Sequence, residues 1–115
     1  MLEGETKVYL ALGSTDLRKS INGLAVLVSE HLEENALSGH YFAFCNRDRS
    51  LVKILYWDRN GFCLWMKRLE KHKFRRPSSE KDVLCISRRQ LNWLLEGLSF
   101  DQKEAHSRLN YRFAA

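Results

Sequence analysis

One proline, six glycines and three cysteines among 115 residues leave little from which to build linkers, staples or metal sites. No stretch is rich enough in Pro, Gly or Ser to divide the chain, and no segment repeats, so a single domain is expected. Cys45, Cys63 and Cys85 are odd in number and far apart, and each lies in an apolar stretch. That excludes a disulfide framework and suggests buried thiols in a reducing cytoplasm. No Cys-x-x-Cys or short Cys/His pair is present, which argues against zinc, and no cofactor is implied. No apolar run approaches the ~18 residues that span a membrane. Met1-Leu2-Glu3-Gly4-Glu5 is acidic and lacks an apolar signal core, so export is not expected and the cytoplasm is the expected location.

What the chain does have is unevenly spread charge. The net +5 conceals three acidic-to-basic regimes. Residues 1–46 carry a net −3 and residues 77–115 a net +1. Between them, Arg47, Arg49, Lys53, Arg59, Lys67, Arg68, Lys71, Lys73, Arg75 and Arg76 outweigh Asp48, Asp58 and Glu70, for a net +7. Such a segment beside an acidic first third suggests a polyanion footprint. The plain alternative is a solvated charged surface.

Val8 to Leu12 reads as a short apolar strand ended by Gly13. Ser14, Thr15 and Asp16 offer helix-capping oxygens. Leu17, Ile21, Leu24, Val28 and Leu32 follow at helical spacing and predict an amphipathic helix over about residues 16–34. His40 to Cys45 predicts a strand, Asn46 to Arg49 a charged turn, and Leu51 to Trp57 a strand rich in branched and aromatic residues. Asn60-Gly61 signals a hairpin, with Phe62 to Leu69 returning. Val83 to Ile86 suits a further short strand. Ser87 caps a helix over about 88–97, with Leu91, Leu94 and Leu95 inward and Gly97 as the stop.

With Asn60-Gly61 as a two-residue loop, Trp57 would face Leu64, Leu55 Met66, and Lys53 Arg68. Both hairpin faces are apolar near the turn. The long helix covers one; the last helix or a partner chain would cover the other. Lys53 against Arg68 would be a like-charge pair that a phosphate could relieve or that solvent could absorb.

Four segments carry a resemblance. They are Thr15 to Leu24 (TDLRKSINGL), Leu51 to Asp58 (LVKILYWD), Gly61 to Glu70 (GFCLWMKRLE), and Gln90-Leu91 through Leu94-Leu95-Glu96-Gly97. In order and spacing they resemble the TnpB accessory proteins of insertion-sequence-66-type transposons, over about residues 7–98. The resemblance implies a bacterial protein that assists transposition and DNA recombination beside a separate, larger DDE-type transposase. It implies nothing about residues 99–115, which lack strong periodicity and are read as a tail.

Three kinds of site are weighed. Arg18 and Lys19, following Asp16 at a helix start, could hold a phosphate with nearby backbone N–H groups; the alternative is a cap with solvated cations. The ribbon Lys67, Arg68, Lys71, Lys73, Arg75 and Arg76, with Lys53 behind it, is the main candidate for phosphate contact, and Phe74 among them could stack on a base. Tyr56, Trp57 and Trp65 lie upstream, and the two tryptophans read better as core. Asp16, Asp58 and Glu96 could be carboxylates of a phosphoryl-transfer site, but each reads better as a cap, turn or helix end. No nucleophile motif is present, so no catalytic residue is assigned.

The expected protein is thus an α+β domain over residues 1–98. It has a mainly antiparallel sheet of four to five strands, one long and one short helix, and a tail over 99–115. Its expected role is non-catalytic and DNA-binding. The alternative is an adaptor that joins the transposase, or another protein of the same element, through the apolar hairpin. Self-association is left open.

Overall fold

Tyr41 to Cys45 is an unbroken apolar run, and all five residues are buried. A strand buried on both faces must lie inside a sheet that is covered on both sides. The computed structural model, which describes residues 6–75 and 82–97, has that arrangement. In chain order the elements are β1 (Val8–Ser14), α1 (Ile21–Glu30), β2 (Tyr41–Cys45), β3 (Leu51–Asp58), β4 (Gly61–Arg68), β5 (Val83–Ile86) and α2 (Arg88–Leu95). The sheet order is β4-β3-β2-β1-β5. Three pairings are antiparallel. The fourth, β1 with β2, is parallel, because the connection between them passes through α1 and returns to the same end. The fold is α+β, and its sheet is mixed rather than purely antiparallel.

Side chains alternate across the sheet, and each face has its own core. On one face Leu24 and Val28 of α1 pack with Ala11, Phe42, Phe44 and Leu55. On the other, Leu91 and Leu94 of α2 pack with Leu10, Ala43, Ile54 and Phe74. The last helix, together with Phe74, therefore covers the β3 half of the hairpin's second face, while Trp65 of β4 stays exposed.

The hairpin loop is Arg59-Asn60. Asp58 pairs with Gly61, Trp57 with Phe62, Lys53 with Met66 and Leu51 with Arg68. Arg59 takes the positive φ of 54°, and Gly61 opens the return strand instead of turning the chain. This two-residue slip from the expected register leaves every side chain on its expected face, since faces alternate with period two. It does abolish the expected Lys53–Arg68 cross-strand pair.

The long helix is shorter than its apolar stripe. It starts at Ile21, after Ser20, and ends at Glu30. Asp16 caps no helix; its Oδ1 accepts the Arg18 backbone N–H at 3.0 Å and closes a local turn. Leu17 and Leu32 still reach the core, from the flanking turns. The last helix behaves as read. The Ser87 hydroxyl accepts from Gln90 N–H, the Gln90 side chain accepts from Ser87 N–H, and Gly97 follows at φ 76°. Of the three thiols only Cys45 is buried; Cys63 is half-buried and Cys85 exposed. The expected tail lies outside the described residues.

Candidate nucleic-acid interface

Because β3 alternates in direction between β2 and β4, the C-terminal ends of β1, β2 and β4 all point to one end of the sheet. The loops leaving them therefore meet. Thr15 N–H donates to the Cys45 carbonyl at 3.0 Å, Leu69 N–H to Ser50 at 2.8 Å, and Phe74 N–H to Arg49 at 2.7 Å. These bonds bring together residues 15–20, the turn 46–50 and the segment 69–75. Arg18, Asp16, Arg47 and Asp48 also line one shallow groove there.

The turn 46–50 is closed by its own hydrogen bonds. The Asn46 side chain accepts from Ser50 N–H at 2.9 Å and Leu51 N–H at 3.1 Å, and donates to the Ser50 hydroxyl. Arg47 and Arg49 stand exposed on it, and Arg49 holds a φ of 58°. Neither arginine was singled out from sequence as a site residue, although both belong to the basic middle segment. The signal lay in strand counting: two successive antiparallel turns return this loop to the exit of β4.

The segment after β4 is riveted to the core. Phe74 is fully buried among Val52, Leu91 and Leu94, so it cannot stack on a base. On either side of it Lys71, Lys73 and Arg75 are exposed. Arg76 lies outside the described residues.

The structure divides the nominated cations by what they hold. Lys53 Nζ donates to the carbonyl of Leu17 at 2.6 Å and to that of Lys19 at 3.4 Å, tying β3 to the turn before α1. Lys67 Nζ donates to the Leu95 carbonyl at 2.8 Å, closing the C-terminal end of α2, where a cation also meets the helix dipole. Arg68 Nε donates to Glu70 at 2.9 Å. Arg18 donates through Nε and Nη2 to both carboxylate oxygens of Asp16, at 3.0 and 2.8 Å. The Arg18 bonds hold the Asp16 carboxyl far below its usual range, and the carboxylate in turn raises Arg18. Both ion pairs are solvent-exposed and open at little cost. Lys19, Lys71, Lys73 and Arg75 make no ion pair among the described residues.

The three carboxylates weighed for catalysis do not converge. Asp16 lies at the basic end, Asp58 in the hairpin at the opposite end, and Glu96 caps α2. Among the described residues no three His, Cys, Asp or Glu side chains group as metal ligands. None of the described helices is long and apolar enough to cross a membrane.

A family model described as "IS66 Orf2 like protein" matches residues 6–105. Two proteins of Sinorhizobium fredii, each described as uncharacterized, are similar to the chain. Protein y4hO is 40% identical over 94 residues, covering 82% of this chain and 82% of its own length. Protein y4jC is 30% identical over 94 residues, covering 82% and 80%. No solved structure matches.

Proposed function

We propose a function from one premise: this chain belongs to the IS66 Orf2-like family of insertion-sequence accessory proteins. Within that role it is a non-catalytic DNA-binding factor that grips phosphates with the basic end of its sheet. The observation that carries this reading is the riveted segment 69–75. Its exposed cations Lys71, Lys73 and Arg75 flank a buried Phe74 and stand beside Arg47 and Arg49. Side chains presented this way neutralise phosphates and position a protein without reading bases. The protein acts in the cytoplasm beside the transposase.

Binding should weaken steeply with salt, with a log–log slope of roughly −0.9 per phosphate contacted on duplex DNA. Neutralising Lys71, Lys73, Arg75 and Arg76 together should make the slope shallower and weaken all sequences alike. Fluorescence anisotropy on unrelated duplexes across a salt series measures both. An unchanged affinity and slope in that variant would reduce the basic end to a solvated surface.

A second reading, an adaptor that docks on the transposase through the hairpin, draws on Trp65 and Met66, which are 42% and 59% exposed. It expects little DNA affinity at physiological salt. It also expects partner binding to be lost only when hairpin side chains are changed.

A further inference from the structure

A sheet edge presents a row of unpaired backbone donors and acceptors, and proteins blunt such edges with short strands, prolines, bulges or charge. The two edges of this sheet differ. β5 spans four residues, whereas β4 spans eight, contains no proline, and pairs with β3 without a bulge. Its charges, Lys67 and Arg68, stand only at its last two positions. No described residue pairs with its outer side.

Trp65 and Met66 are consecutive on this edge and so point to opposite faces. Trp65 lies beside Ile54 on the α2 side, and Met66 beside Lys53 on the α1 side. A helix or loop laid on one face would cover one of them. A strand that continues the sheet would flank both.

We propose that this strand is a second copy of the chain, with β4 pairing antiparallel to β4 about a two-fold axis at Trp65. In that register Trp65 faces Trp65, Leu64 faces Met66, Cys63 faces Lys67, and Phe62 faces Arg68. The apolar half of each strand meets the amphipathic half of the other, and the guanidinium falls over an aromatic ring. Like charges are never opposed, whereas an in-register parallel pair would set Lys67 on Lys67 and Arg68 on Arg68. The joined sheet would have ten strands, and its two basic ends would point in opposite directions. Such a dimer would present two separate basic ends to polyanions; that consequence rests on the phosphate-contact reading, while the dimer does not.

The test uses the full chain without DNA, under reducing conditions. Sedimentation equilibrium should give the mass of two chains at tens of micromolar. Trp65→Lys should raise the dimer dissociation constant at least tenfold, with an unchanged circular dichroism spectrum. Placement of the axis is read by cross-linking in a Cys63→Ser, Cys85→Ser background. Residues paired across the axis have Cα atoms ~4.5–5.5 Å apart, within disulfide reach. Trp65→Cys should therefore cross-link on oxidation, while Met66→Cys, two residues out of register with its own copy, should not. A wild-type chain that stays monomeric at 100 µM overturns the proposal. So does a dimer that Trp65→Lys leaves intact, or a Met66→Cys chain that cross-links as readily as Trp65→Cys.

Discussion

Lys53 and Lys67 lie in strands, and Lys71, Lys73 and Arg75 lie in the loop a few residues downstream; all five belong to the same basic run. In the strands, the aliphatic stems cross partly buried ground and the ammonium groups end on main-chain carbonyls. In the loop, the side chains end in solvent. A cation whose donors already satisfy helix or turn carbonyls stabilises the fold, and using it on a phosphate would orphan those carbonyls. A cation with its donors in water gives them to a phosphate at little cost. Identical chemistry thus divides into cations held by the scaffold and cations left in solvent, according to what lies within reach.

The largest expected effect comes from the residue that holds the two regions together. Phe74→Ala empties a fully buried site and should cost about 3–5 kcal/mol, measured by urea denaturation. DNA affinity should fall as well, at unchanged charge, because the loop loses its rivet. Full affinity in a stably folded Phe74→Ala chain would separate the loop's anchorage from its function.

Lys67→Met keeps the stem and deletes the bond to Leu95. It should cost about 1–3 kcal/mol and leave the salt slope of binding unchanged. A slope shallower by about 0.9 would instead make Lys67 a phosphate contact and erase the distinction between strand and loop. Arg49→Gly sharpens it from the other side. Glycine takes a φ of 58° without strain, and its greater freedom in the unfolded chain roughly offsets that relief. Stability should hold within about 0.5 kcal/mol while the slope falls by about 0.9.

The smallest effect is that of Asp16. Its carboxyl is held below the ordinary value of 3.8 by the Arg18 hydrogen bonds. A depressed folded value means stability that is present above pH 4 and lost as pH falls through the folded value. The thermal midpoint of the wild type should exceed that of Asp16→Asn at pH 7 by a small margin that shrinks toward pH 2. A margin independent of pH would show that the carboxylate's charge contributes nothing.

Much of this fold was legible because its signals are local. The five strands, the Ser87 cap and the Gly97 stop each rest on a few neighbouring residues. Misreadings arose where a residue outside the expected signal, near or distant, decides. The stripe from Leu17 to Leu32 has helical spacing, yet Asp16 binds Arg18 and Lys53 grips the Leu17 carbonyl, so the helix waits until Ile21. Asn60-Gly61 favours a turn, but Arg59 accepts the left-handed conformation and pairing begins one residue earlier. At the candidate site, composition located the basic segment but could not sort its members. Phe74 looked available among cations because its burial depends on α2, whose sequence begins at Arg88. Arg47 and Arg49 joined the site only through the order of the strands.

On the proposed phosphate contact, the Phe74 rivet would set the thermodynamic character of binding. A loop that must be ordered by its ligand loses conformational entropy on association, and each long side chain it fixes costs about 0.5–1.5 kcal/mol more. Here the backbone of residues 69–75 is fastened at Leu69 and Phe74 before any ligand arrives. Association would then leave the main chain much as it was and would owe its favourable entropy to released counterions. Its heat capacity change would be small, the mark of a surface that meets its partner ready-made.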